Sequence, residues 1–341
     1  MQSLLFDGGV MLIALLVVVA GSELFTNAVE HFGESFGLSE GLVGSVFAAV
    51  ATALPETIVP IVAVFGSTGG GAAGQHVGVG AIVGSSFMLA TLALTLMALF
   101  ALPKRGLTTP FNAEPTGLRR DVGYFICAFA IAFASLFIPR DLDWPRVLVA
   151  TVLILIYVVY VVQTIRRSSA LVEAGHGTNA DNPLWLNRLG LPQNLWGTAV
   201  QALLALGLII VGAKVFVWGI ETMATATHFP VLVMSLILVP VATEMPEKVN
   251  SILWIRRGRD TLAFGNITGA MVFQGSLLPA FGVFLQSWGP RPDVLAAFGI
   301  TLICSTWLWL RIRAGRLTPA HLGVNALGYI AFLTFIAVYA V

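Results

Sequence analysis

The chain has 341 residues, of which 57% are hydrophobic and only 10% are charged, and its formal net charge is +1. Soluble domains carry about 25% charged residues, so this composition excludes an ordinary soluble protein, and the near-zero net charge indicates no nucleic-acid partner. Apolar runs of about twenty residues recur along the chain, and each is long enough to cross a bilayer as a helix. We therefore predict an all-α polytopic membrane protein embedded in a lipid bilayer.

The apolar runs between polar breakers predict ten transmembrane helices in chain order. They lie near residues 9–30, 40–66, 77–102, 121–138, 146–165, 195–219, 230–255, 261–286, 293–311 and 320–340. The first residues, MQSLLFDGGV, lack a basic segment, so we expect them to lead into the first span rather than to form a signal peptide. The polar stretch between spans five and six is typical of a linker. The chain then divides into a five-span unit (1–165), a linker (166–194) and a second five-span unit (195–341).

The basic residues predict the orientation of the bundle. Most Lys and Arg residues fall in the loops of one side, which includes the linker with Arg166 and Arg167, whereas the opposite loops hold only Arg140, Arg146 and Arg291. Cytoplasmic loops carry the excess of Lys and Arg. We therefore expect a multi-pass protein of the cell (inner or plasma) membrane, with a cytoplasmic linker and both termini outside.

The two five-span units resemble each other in sequence. Gly21 corresponds to Gly212 and Glu30 to Glu221, at an offset of 191 residues, and the same offset aligns the segments VAT at 50–52 and 241–243 and PE at 55–56 and 246–247. An odd number of spans separates the two copies, so they must lie in opposite orientations. Inverted repeats with helices interrupted at matching positions are typical of secondary transporters, whose site lies at the repeat interface near the midplane.

The repeated motif is T-x-x-P-E. Thr52 and Glu56 are four residues apart and share one helix face, as do Thr243 and Glu247. The prolines between them cannot donate a backbone hydrogen bond, which frees carbonyl oxygens. Hydroxyl, carboxylate and carbonyl oxygens suit hard cations such as Ca²⁺ or Na⁺. A charge near mid-span costs at least about 2.5 kcal/mol, so two matched glutamates favour a cation site over kinked helices with glutamates that reach for the surface.

The spans that follow each motif supply further candidates. Ser85 lies in GAIVGSS at 80–86, and Gln274 lies in GNITGAMVFQ at 265–274. Glycines at four-residue spacing in these segments let another helix approach closely. We therefore predict Ser85 and Gln274 as additional oxygen ligands.

The two copies differ at two positions beside the motif. Ala53 and Thr57 of the first copy correspond to Glu244 and Lys248 of the second. Glu244 is thus a further candidate ligand. Lys248 has two interpretations: it joins Glu244 and Glu247 in a charged cluster and lowers the net charge of the site, or it extends towards the cytoplasmic surface.

The motifs ATALPE at 51–56 and ATEMPE at 242–247, with the two glycine-rich segments, resemble the calcium/cation antiporter superfamily, which includes sodium/calcium and proton/calcium exchangers. The resemblance covers most of the chain. It implies a fold in which two pairs of helices cross at a central site and Glu56 and Glu247 are the main Ca²⁺ carboxylates. It also implies that Thr52 and Thr243 contribute backbone or hydroxyl oxygens, and that the first and sixth spans move against the rest.

The chain departs from the sodium-coupled members at positions that hold oxygen ligands there. Ala53 and Glu244 replace serines, Leu89 and Gln274 replace Asn and Asp, and Ala270 replaces a serine. A glutamine at the position of Gln274 resembles the proton-coupled members, whereas the T-x-x-P-E motif is closer to that of the sodium-coupled branch. The coupling ion, H⁺ or Na⁺, therefore stays open, with these losses favouring H⁺.

Together these features predict a secondary antiporter that exchanges Ca²⁺, or a similar hard cation, for H⁺ or Na⁺ by alternating access. A monovalent cation/proton antiporter and a cation channel are the alternatives. We do not expect an enzyme, because no second catalytic element accompanies the glutamates. We expect no resident cofactor and inorganic cations as the partners, and the sequence allows a homo-oligomer without requiring one.

Overall fold

A computed structural model describes residues 2–53, 57, 72–180, 182–227, 244–285 and 288–339. These residues are almost entirely helical, and the β-type pairing within them is an isolated bridge between Ser39 and Gly177. The predicted all-α class is therefore confirmed.

The helices of the first half begin with α1 (Gln2–Ser35) and α2 (Glu40–Thr52), whose central part, Val43–Ala48, is π-helical. Helix α3 runs through Ala72–Met88, a π-helical segment Leu89–Ala93 and Leu94–Arg105. Then follow α4 (Pro115–Ser135) and α5 (Asp143–Leu171), which continues into a π-helical turn, Val172–His176.

The second half begins with a 3₁₀ turn, Trp185–Leu189, and α6 (Leu195–Thr227). Helices α7 (Met245–Arg257), α8 (Asp260–Gly282) and α9 (Pro292–Arg313) follow. Helix α10 consists of Pro319–Gly323 and Asn325–Tyr339. Local sequence explains the helix ends: Glu114 caps α4 by accepting bonds from Thr116 N at 2.8 Å and Gly117 N at 2.6 Å, and Gly258 ends α7 in the left-handed region.

Six helices among the described residues are long and apolar enough to cross a membrane. They are Gly8–Ser35, Gly78–Arg105, Asp143–His176, Leu195–Gly212, Pro292–Arg313 and Pro319–Val338. Large apolar side chains such as Ile154, Leu203 and Ile303 point outward from three of them. Exposed apolar helix faces are stable in hydrocarbon rather than in water, so the structure fits a multi-pass membrane protein.

Helix α8 lies at the centre of the bundle. Nearly all of its side chains are buried, and it contacts α2, α3, α4, α5 and α7. Its glycines allow this packing: a Cβ at Gly265 would lie 3.3 Å from the Gly44 Cα of α2, and a Cβ at Gly269 would collide with the backbone of Ser45. Helices α2 and α8 therefore cross backbone to backbone, as the glycine spacing predicts.

Helices α1 and α6 form a second close pair at the edge of the bundle. The segment between α5 and α6 packs against this pair. Asn27 of α1 accepts a bond from Trp185 N at 3.0 Å, and Gln201 of α6 accepts one from Leu186 N at 3.0 Å. Helical structure continues from α5 through His176, so the first part of the predicted 166–194 linker is helical.

Candidate cation site

Glu247 lies in the first turn of α7, next to Pro246. Its side chain is fully buried, with 0% exposure, and neither carboxylate oxygen has a hydrogen-bond partner. The helix begins at Met245, so Pro246 lies in its first turn, where the N–H that proline lacks is not needed for a helical hydrogen bond. The partial positive charge of the helix N-terminus favours a carboxylate at this position. Glu247 is therefore a buried carboxyl group whose two oxygens have no hydrogen-bond partner.

Thr52 lies at the end of α2 and is also fully buried. Its hydroxyl donates to the Ala48 carbonyl oxygen at 2.9 Å, and the end of α2 that carries Thr52 contacts α7, the helix of Glu247. The two lone pairs of that hydroxyl oxygen remain available as acceptors. The fold thus brings together two predicted residues that are far apart in the chain.

Glu244 and Lys248 form a buried ion pair directly beside Glu247. Lys248 Nζ donates to Glu244 Oε2 at 3.0 Å, and the two side chains are 2% and 0% exposed. The other oxygen of Glu244 has no hydrogen-bond partner. Of the two interpretations of Lys248, the structure supports the charged cluster, and extension to the cytoplasmic surface is wrong.

Ser85 and Gln274 are both buried, in α3 and α8. The Ser85 hydroxyl donates to the Ile82 carbonyl oxygen at 3.2 Å, and both polar atoms of Gln274 are without a hydrogen-bond partner. Neither residue forms a hydrogen bond with the Glu247 carboxylate. Both lie on helices of the central bundle, since α8 contacts α3 as well as α7, the helix of Glu247.

Three buried polar residues of α7 and α8, Asn250, Ser251 and Asn266, were not predicted as part of the site. Asn266 Nδ2 of α8 donates to the Glu247 carbonyl oxygen at 3.1 Å and to Ser251 Oγ at 2.9 Å. Asn250, one turn after Glu247, is fully buried and neither of its side-chain polar atoms has a partner. The available signal was spacing, because residues three and four positions after Glu247 share its helix face.

A second buried polar group holds the crossing of α2 and α8. Asp121 of α4 accepts hydrogen bonds from Ser45 Oγ at 2.6 Å and Thr268 Oγ1 at 3.1 Å, and it pairs with Arg120 at 2.9 Å. Hydrogen bonds to a carboxylate are among the strong ones. Asp121 therefore ties α4 to both crossing helices, a role that its place at the edge of a predicted span did not indicate.

Some predicted ligands cannot be placed. Glu56 and Thr243, together with Pro55, lie outside the described residues. Within the described part of the chain, no group of three or more His, Cys, Asp and Glu side chains could hold a metal ion. The described residues thus contribute carboxylate, hydroxyl and amide oxygens, which are hard ligands, rather than a complete metal centre.

Comparison with known proteins identifies relatives along most of the chain. The sequence profile of the family described as sodium/calcium exchanger protein matches residues 7–166 and 198–338. The chain is 24% identical over 317 residues to the uncharacterized membrane protein MJ0091 of Methanocaldococcus jannaschii, covering 92% of each chain. It is 25% identical over 275 residues to the inner membrane protein YrbG of Escherichia coli, covering 79% of this chain and 77% of that protein.

The fold is also similar to a solved structure. The sodium-calcium exchanger NCX_Mj, soaked with Na⁺ and Ca²⁺, superposes with a TM-score of 0.74 at 19% identity, covering 96% of this chain and 98% of that chain. The resemblance expected from the motifs is thereby confirmed. The chain therefore belongs to the sodium/calcium exchanger protein family, which makes it a multi-pass membrane antiporter of inorganic cations and not an enzyme.

Proposed function

We propose that this protein exchanges Ca²⁺, or a similar hard cation, for H⁺ or Na⁺ by alternating access, and that Glu247 binds the transported cation. The observation that carries the proposal is the burial of Glu247 with both carboxylate oxygens unpartnered. Leaving a buried polar group unsatisfied costs about 1–3 kcal/mol, and more for a charged group. A cation that binds these oxygens during transport explains why the fold tolerates that cost.

The neighbours of Glu247 support a site built from several helices. We propose Thr52, Thr243 and Glu56 as further ligands, with Glu244, Ser85 and Gln274 around them. Thr52 supports this role because its hydroxyl is buried at the end of α2, where α2 contacts α7, the helix of Glu247. The cation is cargo, so the proposal assigns the chain no resident cofactor.

We further propose ten transmembrane helices in two inverted five-helix repeats, residues 1–165 and 195–341, joined by a cytoplasmic linker at 166–194. The helix contacts support this arrangement. The repeat pairs α2 with α7 and α3 with α8, and the contact of α2 with α8 has its counterpart in the contact of α7 with α3. Likewise, the contact of α8 with α5 has its counterpart in that of α3 with α10.

The orientation in the proposal follows the positive-inside bias. The ends of α3 and α7 and the start of α8 carry Lys104, Arg105, Arg257 and Arg259, and Lys104 Nζ donates to the Arg256 carbonyl oxygen at 2.6 Å. This end of the bundle would face the cytoplasm, with both termini outside, in the inner or plasma membrane.

The coupling ion is a finer part of the proposal. The NCX_Mj structure was soaked with Na⁺ and Ca²⁺, which supports these two ions as cargo. Against sodium coupling, Ala53, Leu89 and Ala270 are buried apolar side chains where sodium-coupled members hold oxygen ligands. Losing oxygen ligands weakens a Na⁺ site more than it hinders protonation of a carboxylate, so the proposal favours H⁺.

One observation favours a second candidate, a monovalent cation/proton antiporter. The Lys248 ammonium lies within the cluster that contains both Glu244 and Glu247. It offsets one of the two carboxylate charges, and a site with less negative charge attracts a divalent cation less strongly.

The test is uptake of radioactive Ca²⁺ into proteoliposomes under an imposed pH gradient or an imposed Na⁺ gradient, with protein-free liposomes as the control. Gradient-driven accumulation above equilibrium supports the exchanger, and the effective gradient identifies the coupling ion. If a pH gradient drives Na⁺ or K⁺ but not Ca²⁺, the second candidate is correct. Passive flux that never exceeds equilibrium would indicate a channel.

A further inference from the structure

The ion pair of Glu244 and Lys248 is placed where a transported cation is expected to bind. Lys248 Nζ lies 3.0 Å from Glu244 Oε2, and both side chains are shielded from solvent, at 2% and 0% exposure for lysine and glutamate. Glu244 precedes Glu247 and Lys248 follows it at the N-terminus of α7, and both carboxyl groups are fully buried. One ammonium thus shares a buried cluster with two carboxylates.

The oxygens of this cluster are incompletely paired. Glu244 Oε1 and both oxygens of Glu247 have no hydrogen-bond partner, whereas Glu244 Oε2 accepts its bond from Lys248. The Lys248 ammonium therefore occupies the position beside Glu244 Oε2 where a cation could bind, and it leaves the other carboxylate oxygens available. A buried ion pair often adds little to the stability of a fold. We therefore consider a role for this pair in ion binding.

The two copies of the motif differ by this pair, whose carboxylate and ammonium charges cancel. The matching positions of the first copy are Ala53 and Thr57, and there the Thr57 hydroxyl donates to the Ala53 carbonyl oxygen at 2.9 Å. Both couples are four residues apart, so each spans one helical turn. Where the first copy has an uncharged couple, the second has a carboxylate together with its own cation.

We propose that the Lys248 ammonium is a resident cation, which takes the place beside Glu244 and Glu247 that a monovalent ion would otherwise occupy. It lowers the number of transported positive charges that the cluster binds, and it thereby sets the charge carried per cycle. The inference rests on the proposed function, because it assigns Glu247 to the transported ion.

The experiment measures Ca²⁺ and Na⁺ binding to purified full-length protein in detergent, by titration calorimetry and by the shift of the thermal unfolding midpoint. The variants are Lys248→Met, Glu244→Gln and the double variant, with Arg291→Met as a control because Arg291 pairs with Asp293 in another part of the chain. Both single variants break the same ion pair, but they change the charge of the cluster in opposite directions.

The expected dissociation constants for Ca²⁺ follow the charge. Lys248→Met should bind at least about tenfold more tightly than wild type and acquire saturable Na⁺ binding, because a carboxylate loses its resident cation. Glu244→Gln should bind at least about tenfold more weakly, because the cluster loses one carboxylate charge and keeps the ammonium. The double variant should fall between them, and Arg291→Met should match wild type.

Two outcomes would overturn the inference while the proposed function stands. The first is a change in the same direction in both single variants, which a purely structural pair would produce. The second is an equal dissociation constant for Ca²⁺ in wild type and in all the variants. Absence of cation binding in every protein would refute the proposed site and the inference together.

Poor folding of one single variant does not prevent the test. The double variant removes both charges and so leaves no unpaired ion behind, a change that folded proteins tolerate better than loss of one partner. The remaining single variant is then compared with the double variant, and the same ordering is required. If neither single variant folds, the double variant is compared with wild type: saturable Na⁺ binding is expected in the double variant, which lacks the ammonium, and no gain of Na⁺ binding would overturn the inference.

Discussion

Gly21 of α1 and Gly212 of α6, which align in sequence at an offset of 191 residues, each pack against the backbone of the other's helix. A Cβ at Gly21 would lie 3.1 Å from the Ala205 carbonyl oxygen, and a Cβ at Gly212 would lie 3.1 Å from the Ala14 carbonyl oxygen. Small residues at such positions allow close helix packing within membranes. Two glycines that align in the sequence thus lie at one helix interface.

Replacing Gly212 with valine should separate α1 from α6. The added side chain would meet Val18 and the Ala14 carbonyl oxygen, and overpacking of this kind costs about 1–3 kcal/mol. Gly207→Val on the same helix is the matched control, since a Cβ there has nothing within 4 Å. The thermal unfolding midpoint in detergent should fall for Gly212→Val alone, and equal effects would show that helix propensity, not packing, governs both.

Ser45→Ala should destabilise the crossing of α2 and α8. It removes the 2.6 Å hydrogen bond from Ser45 Oγ to the buried Asp121 carboxylate, and a hydrogen bond to a charged group contributes about 1.5–3 kcal/mol. Ser305→Ala is the control, because the buried Ser305 hydroxyl has no hydrogen-bond partner. Its unfolding midpoint should stay constant or rise, and a loss as large as that of Ser45→Ala would contradict the assigned role of Asp121.

Trp254→Phe should loosen the contact between α1 and α7. The Trp254 indole Nε1 donates to Glu30 Oε1 at 2.8 Å, and Arg257 lies 3.6 Å from the same oxygen. Without the indole N–H, we expect faster amide hydrogen exchange at the end of α1. Trp307→Phe removes a comparable 2.9 Å bond to the His321 carbonyl oxygen and should leave exchange in α1 unchanged. Faster exchange in α1 for both variants would argue against a specific contact.

The proposed orientation predicts which loops react from outside the cell. In a Cys127→Ser, Cys304→Ala background, a cysteine at exposed Arg140 should react with an impermeant maleimide on intact cells. A cysteine at exposed Arg188, in the proposed cytoplasmic linker, should react only after the membrane is permeabilised. The reverse labelling pattern would contradict the proposed orientation and place the linker outside the cell.

The internal repeat made some of this structure predictable from the sequence. An offset of 191 residues identified Gly21 with Gly212, and the fold places both at one interface. The glycine spacing at Gly265 and Gly269 likewise predicted a close helix crossing, because a missing side chain has a direct steric consequence.

Other features depend on tertiary geometry that a single sequence does not specify. The direction of Lys248 follows from where α7 begins and how it is rotated, and both interpretations were compatible with composition. Asp121 read as a residue at a span edge, whereas it bonds Ser45 and Thr268 from two distant helices. The π-helical segment Val43–Ala48 changes the register of α2, and it contains no proline that would predict an irregular helix.

The most direct test of the central claim concerns the Glu247 carboxylate. Radioactive Ca²⁺ accumulation should be measured in proteoliposomes with wild type, Glu247→Gln and, as a control, Glu34→Gln, which alters an exposed glutamate at the end of α1. The amide keeps the shape of the side chain but removes its charge. We predict gradient-driven accumulation above equilibrium for wild type and Glu34→Gln, and none for a folded Glu247→Gln. Accumulation by Glu247→Gln at the wild-type level would contradict the claim that this carboxylate binds the transported cation.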